Sequence, residues 1–217
     1  MSWKLPRGLV PPPPPPRVRG LGPRLAALYW RVPAGASVVD VGTDHGLLPW
    51  ALVSSGRSLR AIGIDLHTAP RKKPRPGLIF LRGDGLEPVE GPVEVACFAG
   101  LGARTMAGIF ARRAPRELGI RRVLAQPGAE EAEVRTLLAS HGYALAEELF
   151  VAEGPRFFRV MVADASDGPV RLDEETRLLG HVSSRQGPLH DAWVRLQRAH
   201  HAHHPEHPAA ALLSRLP

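Results

Sequence analysis

The 217-residue sequence contains a single cysteine, Cys97. An internal disulfide is thereby excluded, which fits a reducing compartment better than a disulfide-stapled secreted scaffold. No stretch approaches the run of about 20 apolar residues needed to cross a bilayer. The N-terminal MSWKLPRGLVPPPPPPRVRG carries Lys and Arg but no apolar core of a secretory signal. These absences predict a cytoplasmic protein with no membrane partner. G-K-[ST] is also absent, which excludes a P-loop.

Positive charge is in excess. Lys and Arg number 28 against 21 Asp and Glu, a net charge of +7, with clusters at RKKPR (71–75), ARR (111–113) and RR (121–122). Such a balance favours a nucleic-acid partner, because Lys and Arg displace counterions from phosphates. An arginine-rich composition alone gives the same balance, so the charge is supporting evidence only.

Three regions follow from the pattern. Residues 1–20 contain a six-proline run and are expected to form a disordered polyproline II arm. Residues 21–164 alternate helical and strand signals. A helix is expected over 22–32, a strand over 37–41, a helix over 46–55, and strands over 59–65, 78–81 and 93–100. A helix over 104–114, a strand over 121–127 and a helix over 129–142 follow. A β-hairpin over 143–163 turns at Glu153, Gly154 and Pro155. Alternating strands and helices imply an α/β fold with a parallel sheet covered on both faces. HTAPRKKPRPG (67–77) holds three prolines where a crossover helix belongs, so a basic loop is expected there. Residues 165–217 read as a short helical extension, with helices near 172–180 and 188–204. HHAHHPEH (200–207) reads as a soluble tail rather than a metal site, because no carboxylate or cysteine is spaced to complete one.

The chemistry concentrates in VVDVGTDHGLLPW (38–50). A dinucleotide loop needs bare backbone against a pyrophosphate, but Asp44 stands in that position. Two like charges about 4 Å apart at an effective dielectric near 20 repel by roughly 4 kcal/mol. S-adenosylmethionine reverses the argument, since it has no phosphate and carries cationic ammonium and sulfonium groups. The pattern D-x-G-x-D-x-G (Asp40, Gly42, Asp44, Gly46) offers it carboxylates and close backbone approach. Asp65 closes the second strand, where it can accept from ribose hydroxyls, and Asp84 follows the third, placed for the adenine amino group. Taken singly, Asp44 or Thr43 could cap the next helix, and Asp65 and Asp84 could be turn residues.

VVDVGTDHGLLPW, GDGL, FAGLGA, LAQP and FFRVMVA occur in that order. They resemble the bacterial methyltransferases that modify N1 of an adenine in the tRNA D-arm, whose pattern is D-x-G-[ST]-D-H-x-x-L-P, G-D-G-L, A-G-M-G-G and L-Q-P. The resemblance runs from about Leu21 to Ala163, and more weakly through 177–197. It implies a class I S-adenosylmethionine-dependent methyltransferase: a Rossmann-like, seven-stranded, mostly parallel sheet with a helical C-terminal extension that helps hold tRNA. It places Asp40, Gly42, Thr43, Asp44, His45 and Gly46 at the methionine end, Asp65 at the ribose, and Asp84 with Gly85 at the adenine. Gly100, Leu101 and Gly102 line the loop facing the target base and act by positioning. This sequence departs from the pattern at Ala103, in the basic loop 67–77 and in its short C-terminal helices.

Adenine N1 has its own lone pair, so neither an enzyme nucleophile nor a metal is expected, only placement of a flipped-out base. Carbonyls near Phe98–Gly100 could accept from N6. Phe98, Phe157 or Phe158 could stack on the base or belong to the core. His45 could hydrogen-bond the methionine carboxylate, orient Asp44 or make a structural hydrogen bond. Arg71, Lys72, Lys73 and Arg104 are candidate tRNA contacts. Alternatives are a catalytically silent cofactor- or RNA-binding protein, and a methyltransferase acting on another RNA, protein or small molecule. The oligomeric state stays open, a monomer being sufficient.

Overall fold

The computed structural model describes residues 3–67, 70–128 and 130–216. Met1 and Ser2 of the arm, Thr68 and Ala69 of the basic loop, Ala129 at the start of the expected helix 129–142, and Pro217 lie outside the described residues. The strands are β1 (Trp3–Lys4), β2 (Val38–Val41), β3 (Ala61–Asp65), β4 (Leu78–Arg82), β5 (Val95–Ala99), β6 (Arg122–Gln126), β7 (Tyr143–Glu153) and β8 (Arg156–Ala165). The helices are α1 (Pro23–Arg31), α2 (Leu47–Ser54), α3 (Ala103–Arg112), α4 (Glu131–Ser140), α5 (Glu174–Leu179), α6 (Pro188–His201) and α7 (Pro208–Ser214). None of the described helices is long and apolar enough to cross a membrane.

The strands form one sheet in the order β1-β8-β6-β5-β2-β3-β4, with β7 on the far side of β8. The pairs among β2, β3, β4, β5 and β6 are parallel, and those made by β8 are antiparallel. Seven strands are those the sequence predicts. The eighth, β1, pairs Trp3 with Phe157 of β8. The arm expected to be disordered is thus held at its start, because Trp3 is buried against Phe157 with ring centroids 5.3 Å apart.

Alternation along the central strands builds two cores. Val39, Phe98 and Val123 face α3 and α4, where they meet Met106, Phe110 and Leu138. Val38, Cys97 and Leu124 face α1 and α2, where they meet Leu28 and Leu52. Period-2 side chains on strands buried on both faces give this division directly. Pro49 is tolerated in α2 because it lies in the first turn, where N–H groups lack intrahelical partners.

No helix crosses from β3 to β4 among the described residues, as the three prolines require. Phe80 of β4 fills the resulting hollow. A Cβ on Gly46 would lie 2.5 Å from its ring and one on Gly63 2.7 Å, while Pro70 packs near the same place. Lys72 sits 4.4 Å from the Trp50 ring centroid, and Arg75 donates to Ser54 Oγ at 2.6 Å, so the basic loop lies along α2.

The extension docks through a third apolar cluster that joins Trp3 and Phe157 to Leu179, Leu189, Trp193 and Leu213. The histidine run 200–207 stays mostly at the surface, and the segment after it contributes to the cluster. His207 accepts from Ala209 N–H at the start of α7, and Ala209 and Leu213 on the inner face of that helix are buried. Beneath the cluster lies a charged group of Arg135, Glu148 and Arg159, each 1% exposed. Arg135 Nε lies 2.7 Å from Glu148 Oε1, Arg159 Nη1 3.1 Å from Glu148 Oε2, and Arg159 Nε 3.2 Å from Glu131 Oε2. The same guanidiniums donate to the carbonyls of Arg177 and Leu179 at 2.8 and 2.9 Å.

Candidate active site

The loop after β2 is shaped by its own backbone. Gly42, Asp44 and Gly46 all have positive φ, at 71°, 48° and 70°. The N–H groups of Gly42 and Thr43 both donate to the Ile64 carbonyl at 2.9 Å, which lays the loop over the end of β3. Neither Asp44 nor Thr43 caps α2. Its N-cap is Gly46, with no side-chain capping bond, and Thr43 Oγ1 instead donates to Asp40 Oδ2 at 2.6 Å. Asp44 is therefore free of the capping role, and its side chain is 62% exposed, beside His45 Nδ1 at 3.2 Å.

Asp65 locks this loop to its neighbour. Its Oδ2 accepts from Asp44 N–H and its Oδ1 from His67 N–H, each at 2.9 Å. Two backbone N–H groups thus hold the Asp65 carboxylate in one orientation. Asp84 is also engaged: Oδ1 lies 2.7 Å from Arg112 Nη2 of α3. Nothing local to Asp84 marks that partner, which lies on a later helix. Gly85 (φ 61°) is required here, since a Cβ would lie 2.7 Å from Ile109.

Asp40 is the unusual group of the site. It is 4% exposed, and burial pushes its pKa up to about 7, against the pull of the Thr43 hydrogen bond and of Arg24 and with a further push from Asp65. A buried carboxylate held this way gains from any cation brought to it. Arg24, which sequence reasoning missed, comes from α1; its Nη1 donates to Gln126 Oε1 at 2.7 Å, and its N–H to Glu153 at 2.9 Å. Gln126 is in turn oriented by donating to the Pro127 carbonyl at 2.7 Å. Its place in LAQP was the available signal; for Arg24 there was none beyond its position in the first helical turn.

A cleft of about 230 Å³ brings together Arg24, Asp40, Gly42, Asp44, His45 and Gly100. Asp65 and Asp84 continue the row at the ends of β3 and β4. This donor set fits S-adenosylmethionine: carboxylates and a guanidinium surround the cleft, and the glycines admit close approach.

The β5 loop borders the same cleft. Gly100 (φ 82°) donates its N–H to the Gln126 carbonyl at 2.8 Å, and the Leu101 side chain packs against Gly42, where a Cβ would lie 3.4 Å from it. Gly102 is the N-cap of α3, and Ala103, the departure from the family pattern, buries its methyl group at 7% exposure. Of the candidate stacking rings, Phe98 lies buried against Phe110 and Phe157 against Trp3, so both belong to the core. Phe158 lies half-buried, 5.6 Å from the Arg24 guanidinium. Arg104, Arg71 and Lys73 are exposed, whereas Lys72 stacks on Trp50.

Comparisons with known proteins agree with this geometry. A family model described as a methyltransferase domain matches residues 21–161. The tRNA (adenine(22)-N(1))-methyltransferase of Bacillus subtilis is 30% identical over 163 residues, covering 70% of this chain and 68% of that protein. The crystal structure of the B. subtilis M1A22 tRNA methyltransferase TrmK superposes with a TM-score of 0.72 at 23% identity, covering 88% of this chain and 87% of that one. The M. capricolum TrmK structure, in complex with S-adenosyl-homocysteine, gives 0.72 at 16% identity, covering 90% and 94%. At these identities the two structures speak for the fold, a class I methyltransferase sheet. The family rests on the matched domain and the B. subtilis relative: the chain belongs to the tRNA (adenine-N1)-methyltransferase family.

Proposed function

We propose that this protein transfers the methyl group of S-adenosylmethionine to N1 of an adenine in the D-arm of tRNA. The observation that carries the reading is the row of strand-end carboxylates, Asp40, Asp44, Asp65 and Asp84, beside the glycine loop of β5. The cofactor supplies an electrophilic methyl group when bound. Asp40 and Asp44 face its ammonium, Arg24 and His45 its carboxylate, Asp65 the ribose, and Asp84 with Gly85 the adenine. The protein's contribution is placement: the loop Gly100–Gly102 sets the target base in line with the methyl group, the kind of alignment that lowers barriers without a nucleophile.

Exposed Arg71, Lys73 and Arg104 are positioned to meet tRNA phosphates, with Lys72 steadied by Trp50. Residues 165–217 serve as a docking extension for the same RNA. A tRNA acceptor places the work in the cytoplasm, and the cleft is assembled from one chain, so a monomer suffices.

Radiolabelled methyl transfer from S-adenosylmethionine onto bulk bacterial tRNA, followed by primer extension, tests the reading. A reverse-transcription stop at a D-arm adenine is the expected result. Binding of the cofactor without labelling of tRNA would favour the silent binder instead. Asp44→Ala is expected to weaken cofactor affinity about fivefold, the scale of one partly exposed charge contact, and to leave the melting temperature unchanged. Calorimetric titration and thermal melting check both halves. A melted fold with intact affinity would mean that Asp44 shapes the loop and does not touch the ligand.

A further inference from the structure

Among the described residues, Asp44 and Glu130 are the non-glycine positions with positive φ. Asp44 belongs to the cofactor loop. Glu130 (φ 57°, ψ 55°) stands in the turn between β6 and α4, beside the β5 loop, in the left-handed conformation that a Cβ disfavours. The Glu130 carbonyl accepts from Val134 N–H at 3.0 Å and so begins the next helix, as any residue there would. Glu130 is the N-cap residue of α4, yet its side chain makes no capping bond. No hydrogen bond or ion pair holds its carboxylate among the described residues, and the residue is exposed.

What the turn achieves is direction. Glu130 Oε2 lies 3.8 Å from where a Cβ on Gly102 would stand, so the carboxylate hangs over the β5 loop. The two loops are fixed to each other. Gly128 N–H donates to the Leu101 carbonyl at 3.0 Å, and a Cβ on Gly128 would lie 2.7 Å from the Gly100 oxygen. A carboxylate with no internal partner is therefore placed at the rim of the loop assigned to the target base.

We infer that Glu130 faces the target adenine and balances the positive charge that builds on its ring during methyl transfer. The inference rests on the adenine-N1 reading above. In that reaction the N1 lone pair forms the N–CH3 bond while the S–CH3 bond breaks, its electron pair remaining on sulfur. Sulfur becomes neutral and the adenine becomes cationic, with no proton transferred. Positive charge thus moves from the Asp40 side of the cleft toward the β5 and β6 loops, and Glu130 is the carboxylate waiting there. A fixed charge aimed at developing charge lowers the barrier more than it strengthens ground-state binding.

The test uses Glu130→Gln and Glu130→Gly beside the full-length wild type. Both variants are expected to lose about 10- to 100-fold in kcat, the lower range for a preorganised electrostatic group, with cofactor affinity within about twofold of wild type. A binding readout without turnover accompanies this. With S-adenosyl-homocysteine present, wild type should prefer N1-methylated over unmodified tRNA, and Glu130→Gln should reduce that preference about fivefold. Glu130→Gly should also hold or raise the melting temperature, because glycine takes this backbone conformation freely. Full kcat with unchanged preference overturns the proposal, as does lost kcat explained by a lowered melting temperature in both variants. A wild-type protein that binds cofactor but leaves tRNA unmethylated overturns the adenine reading itself, and the proposal with it.

Discussion

Replacing Asp40 by asparagine should make the ligand-free protein more stable at pH 8 and nearly abolish cofactor binding. The carboxyl group is buried, and its folded pKa stands at about 7 against an ordinary 3.8. Between those values the folded state keeps a proton that the unfolded state has released. Stability from this group is therefore full below about pH 4 and is lost as pH rises through 7. Roughly three pKa units at about 1.4 kcal/mol each put the cost near 4 kcal/mol at pH 8. Asparagine preserves an acceptor for Thr43 and carries no charge to desolvate, so the variant escapes that cost. Urea titrations of both proteins at pH 5 and pH 8 check this. The wild-type midpoint should fall relative to the variant as pH rises, and equal slopes would mean that Asp40 is solvated after all. Cofactor affinity should drop about 100-fold in the variant, since a buried charge contact is lost. Wild-type affinity should itself weaken as pH falls below 7, where Asp40 must first release its proton.

The second large effect is expected where the extension meets the sheet. Burial alone would raise the pKa of Glu148, but the guanidiniums of Arg135 and Arg159 overcome it and hold the group below the usual carboxylate range. Arg159 is also sandwiched between the rings of Phe150 and Trp193, at 4.3 and 4.4 Å. Glu148→Gln leaves two buried guanidiniums facing Glu131 alone and should cost about 3–5 kcal/mol. Denaturant melts give the magnitude, and limited proteolysis should show cleavage beyond residue 165 rising before the sheet is lost. Replacing Arg135, Glu148 and Arg159 by Met or Leu together with Glu131→Gln should recover much of the stability, because no unpaired charge then remains. A loss below 1 kcal/mol for Glu148→Gln would mean that water reaches the cluster. The depressed pKa also predicts acid sensitivity: the stability that Glu148 contributes is present above the unfolded carboxylate value and is lost as pH falls through its folded value.

The sheet and the cofactor loop were legible because their signals are local. Apolar runs ending in Asp65 or followed by GDG mark strand ends, and glycines at 42 and 46 mark turns that need positive φ. What escaped depends on residues distant in sequence. Arg24 reads as a polar position on an amphipathic helix until Gln126, 102 residues away, gives it a partner. Arg112 reads as part of a basic cluster until α3 lays it against Asp84. Arg135, Glu148 and Arg159 look like solvated surface charges, because only mutual pairing permits their burial. Trp3 and α7 were missed for a related reason. A single tryptophan ahead of a proline run, and a short apolar stretch after a histidine-rich one, show their burial only once each has the other's cluster to join.

The Phe80 ring ties three positions into one unit. With Gly46 and Gly63 lying under it, neither glycine can gain a methyl group while the ring is present, and removing the ring leaves a void beneath the turn that opens the cofactor loop. Phe80 and Gly63 should therefore covary across lineages rather than drift separately. A relative with a crossover helix between the second and third strands of the parallel core would not need the ring and could fill position 63, whereas position 46 keeps its glycine for its φ of 70°. The edge strand thereby sets which residues can evolve at the mouth of the site.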